Sequence, residues 1–98
     1  MDWTFEARMW LWKADAAWHF VTLPSDLADE IEDLVVERRG FGSVRVEARI
    51  GATTWATSIF PSNEMGSFLL PIKKAVRVAE NLAEGDTCTV HLALADLD

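Results

Sequence analysis

The chain has 98 residues, 50% of them apolar and 26% charged, a balance that suits one globular domain with a modest core and excludes a disordered chain. Sixteen acidic residues against nine basic ones leave a formal net charge of −7, which disfavours nucleic acid and anionic membrane surfaces, since both are bound through basic patches. No apolar run approaches the roughly 18 residues of a membrane span.

The first strand signal is Thr4–Trp12. Phe5, Ala7, Met9 and Leu11 share one face of it, and Thr4, Glu6, Arg8, Trp10 and Trp12 share the other, the period-two pattern of a half-buried strand. "KADA" supplies a turn, Ala17–Leu23 forms the return strand of a hairpin, and Pro24 ends the ladder because it has no N–H to donate. A helix is expected next, capped by Ser25 or Asp26, with Leu27, Ile31, Leu34 and Val35 as its apolar stripe. Asp26, Asp29 and Glu30 near its start and Arg38 and Arg39 at its end complement the helix dipole, and Gly40 and Gly42 close it.

Val44–Ile50 alternates again, with Val44, Val46, Ala48 and Ile50 inward. "GAT" makes a short hairpin connection to a strand at Thr54–Phe60, "PSNEMG" (61–66) is a turn-rich loop, and Ser67–Leu70 pairs back. Pro71 leads into a second helix whose buried side is Ile72, Val76 and Ala79, flanked by Ala75. Gly85-Asp86 then turns the chain into Thr87–Ala95, where Cys88, Val90, Leu92 and Leu94 point inward.

Each half therefore reads hairpin, Leu-Pro, helix, Gly, strand, once through Leu23-Pro24 and once through Leu70-Pro71. The halves span about 1–49 and 50–98 of a single domain covering 1–98. Each alone leaves sheet edges open, and pairing the two covers them. The expected fold is mainly β: a small single-chain barrel with pseudo-twofold symmetry and two short helices outside.

"WHFVTLP", "RGFGSVRVEARIG", "TSIFP" and "LLPIKKAVRVAENLAEGD" together resemble domain-of-unknown-function family 1905 over nearly the whole chain. The resemblance implies a double-split β-barrel, with halves similar to the swapped-hairpin unit of AbrB-type transition-state regulators. It brings no mechanism, and the AbrB-like likeness suggests DNA binding only at the level of fold.

The cations Lys73, Lys74 and Arg77 crowd the start of the second helix, where the positive end of the dipole makes them electrostatically misplaced unless an anion binds there. With Arg45 they make a candidate anion-binding surface, and with Arg49 the plain alternative is a solvated face that pairs weakly with acidic neighbours. Thr57 and Ser58, beside Phe60 and Pro61, offer hydroxyls between an aromatic wall and that helix, or simply pin the turn. Of the five tryptophans, Trp18 and Trp55 read as core. Trp10 and Trp12 lie opposite the better apolar face, either covered by a helix or forming an exposed interaction surface.

His19 and His91 have no HxH or HExxH spacing and no nucleophile nearby, so neither a metal site nor catalysis is expected, and no cofactor motif is present. Cys88 is alone, which excludes an internal disulfide, and its inward position suits an inert core thiol. "MDWTFEARMW" has no basic region followed by an apolar stretch, so no signal peptide is expected and a cytoplasmic, bacterial-type domain is the simplest reading.

The leading functional expectation is a non-catalytic binding module, monomeric or weakly dimeric. Its ligand would be an anionic small molecule or an acidic protein segment, held between the Trp55–Pro61 stretch and the Lys73–Arg77 helix. The alternatives are an AbrB-like nucleic-acid-binding protein and a protein-interaction or dimerisation unit using Trp10 and Trp12.

Overall fold

The computed structural model describes residues 2–13, 17–35 and 42–95. β1 (Asp2–Arg8) and β2 (Trp10–Lys13) are two stretches of one segment, and β3 (Ala17–Thr22) pairs back on β2. α1 (Ser25–Leu34) follows, then β4 (Val44–Ile50), β5 (Thr53–Ser62), β6 (Ser67–Pro71), α2 (Lys74–Ala79) and β7 (Thr87–Leu94). The seven strands make one curled, barrel-like sheet in the order β1-β7-β4-β5-β6-β3-β2, with antiparallel pairing. The two outermost strands of that order, β1 and β2, are continuous through Met9, so the chain itself ties one edge of the sheet to the other.

The long first strand expected from the alternation breaks at Met9. There the chain leaves β7 for β3, and its backbone is taken up by the turn before β7: Met9 N–H donates to the Asp86 carbonyl (2.9 Å) and the Met9 carbonyl accepts from Gly85 N–H (2.8 Å). The pseudo-twofold pattern is visible in the pairings. Exchanging β1–β2 with β5, β3 with β6 and β4 with β7 turns β4·β5 into β7·β1 and β5·β6 into β2·β3, while β3·β6 and β4·β7 each map onto themselves.

Alternation places the core as expected on β4 and β7: Val44, Val46, Ala48 and Ile50, then Cys88, Val90 and Leu92 are all buried, as are Phe68 and Leu70 of β6. Met9, Val21, Leu23, Ile59 and Ile72 join them from the other strands and connections. Each such aliphatic side chain contributes about 1.5–3 kcal/mol when fully buried.

The helices differ from the sequence reading in their ends. Pro24 is the N-cap of α1, and neither Ser25 nor Asp26 caps it; the Asp26 carboxylate instead accepts from Leu27 N–H at 3.0 Å. Proline fixes φ near the cap value without needing an N–H there. Val35 already has extended backbone (φ −107°, ψ 102°), so α1 ends at Leu34 with no basic residue in its last turn. The β-branched Val35 is poor at prolonging a helix. Ala14, Asp15 and Ala16 of "KADA", with Arg38, Arg39 and Gly40, lie outside the described residues.

α2 is shorter still. Asn81 takes a left-handed conformation (φ 54°), with Asn81 N–H donating to the Val78 carbonyl (3.3 Å) and Leu82 N–H to that of Arg77 (2.8 Å). This is the Schellman arrangement that stops a helix and satisfies its last carbonyls. Ala79 falls in this closing turn and is exposed, as is Ala75, so Val76 alone anchors α2 in the core. β5 continues through Pro61 to Ser62, with the turn confined to 63–66. Past Ile59 its paired neighbour is β6, a setting that tolerates a residue without an N–H. No helix among the described residues is long and apolar enough to cross a membrane.

Candidate functional site

Strands β3 and β6 come from different halves of the chain, and their ladder is extended past its end by Ile72 N–H donating to the His19 carbonyl at 2.8 Å. That bond sets the start of α2 beside β3. β5 lies on the other flank of β6. Between these elements opens a cleft with a volume of about 580 Å³, within the range of cavities that hold small ligands.

Trp55, Thr57 and Phe60 line the cleft from β5, and Lys73, Lys74 and Arg77 from α2 and the residue before it. Six of the sequence-predicted site residues thus share one cavity. Arg45 and Ser58 do not: they are paired in register across β4 and β5 and lie outside it. Thr57 lines the cleft and Ser58 does not, although Ser58 shares its strand face with Phe60, which does.

Trp18 and His19 of β3 and Pro71 at the end of β6 complete much of the wall. The sequence reading missed His19 as a cleft residue because the β3–β6 pairing joins positions far apart in the chain. Trp18, expected in the core, is half exposed (50%). It shares a strand face with Phe20 and Thr22, whereas the buried Val21 faces the other way.

Burial of the His19 ring, and secondarily the charge of Arg77, hold its pKa below the ordinary 6.5, with Glu84 opposing. The imidazole is therefore neutral at pH 7. Its Nδ1 is buried and has no hydrogen-bond partner among the described residues. Arg77 donates through Nη1 to the Ile72 carbonyl at 2.8 Å, which holds the guanidinium against the start of its own helix. Lys73 and Lys74 are exposed at the rim.

The helix dipole acts only weakly on these lysines. α2 has six residues, too short for a strong macrodipole, and Lys73 is its N-cap rather than part of it. What gathers charge at this place is the convergence of three cationic side chains on an aromatic-walled cavity.

Trp10 and Trp12 part company. Trp10 is half-buried, its indole N–H donates to Thr22 Oγ1 at 2.9 Å, and its ring lies 5.3 Å from Phe20. Trp12 is half exposed (51%) and is the cross-strand partner of Trp18. The exposed indole pair is therefore Trp12 and Trp18, not Trp10 and Trp12.

His91 accepts or donates with Thr4 Oγ1 at 3.0 Å, on strands away from the cleft. Burial, and then Asp86, push the Cys88 thiol above its ordinary pKa, and the thiol contacts the Ala7 carbonyl at 3.6 Å. A protonated, buried thiol is a poor nucleophile.

Fold and cleft together define a small barrel-like β protein with an aromatic and cationic depression where its two halves meet. The chain belongs to the family described as Domain of unknown function (DUF1905), whose model matches residues 5–92. No curated protein matches it.

Proposed function

We propose that the protein is a small non-catalytic binding module whose cleft between β3, β5, β6 and α2 takes an anionic small molecule. The observation that carries this reading is the convergence of Lys73, Lys74 and Arg77 on one cavity of about 580 Å³ with Trp55 and Phe60 in its wall. In a chain with net charge −7, three cations at one cavity make a local field opposite in sign to the whole, which favours anions there. Concavity favours a small molecule over an extended acidic segment, and the net charge counts against nucleic acid. A reducing, cytoplasmic compartment suits the single buried thiol.

The test is a thermal-shift panel of anionic metabolites, acidic peptides and short DNA on the wild type and on Lys73→Glu/Lys74→Glu. A ligand at about a hundred times its dissociation constant adds roughly 2.7 kcal/mol, a rise of about 10 °C or more for a domain of this size. The reading expects a shift from small anions that the double variant loses. A shift that the variant keeps, or one produced only by peptides or DNA, contradicts it.

A second reading rests on the cross-strand pair Trp12 and Trp18, both half exposed: self-association of two copies through this hairpin face. Sedimentation over a hundredfold concentration range separates the two readings. A dimer that Trp12→Ser abolishes supports self-association, and a monomer throughout removes it.

A further inference from the structure

The cleft's wall carries a second kind of information, in its rings. Trp18 is 50% exposed and Phe60 41% exposed, and both line the same cavity. Two large aromatic side chains held half in water at one concavity are apolar area left open to a ligand. Trp18 is also held in orientation: Phe20 stacks on it with centroids 6.1 Å apart and planes 9° from parallel. A ring backed in this way presents a flat surface whose direction is set before anything binds, which lowers the ordering cost of stacking.

Lysines complement this wall. An ammonium is a compact charge with three N–H groups and donates to carboxylate or phosphate oxygens from many directions. The plane of a ligand would then be set by the rings and its anionic end by the charges.

Resting on the anion-binding reading above, we infer that the ligand of this cleft is a planar aromatic anion. Its ring lies against Trp18 and Phe60, and its carboxylate or phosphate meets Lys73, Lys74 and Arg77. Aromatic pairs gain stabilisation beyond the area they bury, through offset or edge-on geometry. A saturated anion of equal size forfeits that gain, and inorganic phosphate leaves the rings in water.

The experiment is isothermal titration of the full chain with four probes: naphthoate, its ring-saturated analogue, neutral naphthalene methanol and inorganic phosphate. Naphthoate is expected to bind at least about tenfold more tightly than each of the others. Trp18→Leu is expected to remove most of that advantage, weakening naphthoate several-fold more than the saturated carboxylate. Trp18→Phe, which keeps a ring, should restore part of it and guards against a folding defect. Saturated and aromatic carboxylates binding equally, or naphthoate affinity indifferent to Trp18→Leu, would overturn the aromatic assignment and leave the anion site standing. Binding of no anionic probe, or binding that survives Lys73→Glu/Lys74→Glu, overturns the anion site and the aromatic assignment together.

Discussion

α1 and α2 hold equivalent places in the two halves, and they have been put to different uses. α1 has ten residues, buries Leu27, Ala28 and Ile31, and carries Asp26, Asp29, Glu30, Glu32 and Asp33 without a basic residue. α2 has six residues, buries Val76, and has Lys74 and Arg77 within it and Lys73 before it. A depression beside α1, lined by Asp29, Glu32 and the β5–β6 hairpin, measures about 210 Å³, against about 580 Å³ for the cleft beside α2. The difference teaches that the repeated topology builds a niche at each helix, while the side chains decide its charge and size. A helix that packs heavily leaves little room beside it; one held by a single valine leaves a cleft.

The comparison breaks first if the helices matter equally to stability. Ile31→Ala removes a fully buried side chain of α1 and is expected to cost about 3 kcal/mol in urea unfolding. Val76→Ala in α2 is expected to cost about 2 kcal/mol. Equal or reversed losses would contradict the division between a packing helix and a cleft helix.

The charge difference is sharpened by making α2 resemble α1. Lys73→Glu/Lys74→Glu is expected to weaken anion binding by at least about tenfold, or about 1.4 kcal/mol, while changing stability by no more than about 0.5 kcal/mol, as exposed positions usually do. Binding assays and urea midpoints on the same samples check both parts.

A smaller effect concerns how α2 is held from its far end. Glu80 Oε2 accepts from Thr53 Oγ1 at 2.6 Å, tying the helix end to the β4–β5 turn. Gly51 in that turn has φ +59°, and an added Cβ would run into the Glu80 carboxylate. Gly51→Ala is therefore expected to cost about 1 kcal/mol or more, from left-handed strain and displacement of Glu80. An unchanged unfolding midpoint would show that the turn does not position α2.

The smallest effect is that of pH. The folded-state pKa of His19 lies below its ordinary 6.5, so the unfolded chain takes up this proton first as pH falls. The stability contributed by the neutral ring is full above about pH 6.5 and is lost as pH drops through the lower folded value. The wild type should lose more stability between pH 7.5 and pH 5.5 than His19→Gln does. Parallel losses would mean that the ring is not held neutral by the fold.

Much of the fold was legible because alternation is local. The inward sets of β4 and β7 follow from period two alone, and the repeat of Leu-Pro, helix and glycine implied the symmetric pairing. A short strand is weaker ground: Trp18 reads as core from its strand neighbours, but it faces away from the buried Val21. The ends of the helices depend on backbone states such as the left-handed Asn81, for which the sequence carries only a slight preference.

In the site, the cations were legible from their clustering on one short segment. Arg45 and Ser58 pair with each other across β4 and β5 outside the cleft, a register that no local sequence signal displays. His19 and Trp18 reach the cleft through β3–β6 pairing between halves, and nothing local announces which strands of two similar halves will meet.

The most direct test of the account is to map binding onto the two halves by NMR, titrating naphthoate into the labelled protein. The account predicts shifts concentrated on the indole N–H groups of Trp18 and Trp55 and on the amides of Lys74 to Arg77, with the amides of α1 unmoved. Shifts centred on α1 or on the outer face around Arg45, or no shift at all, would contradict the claim that the site lies where β3 of the first half meets β5, β6 and α2 of the second.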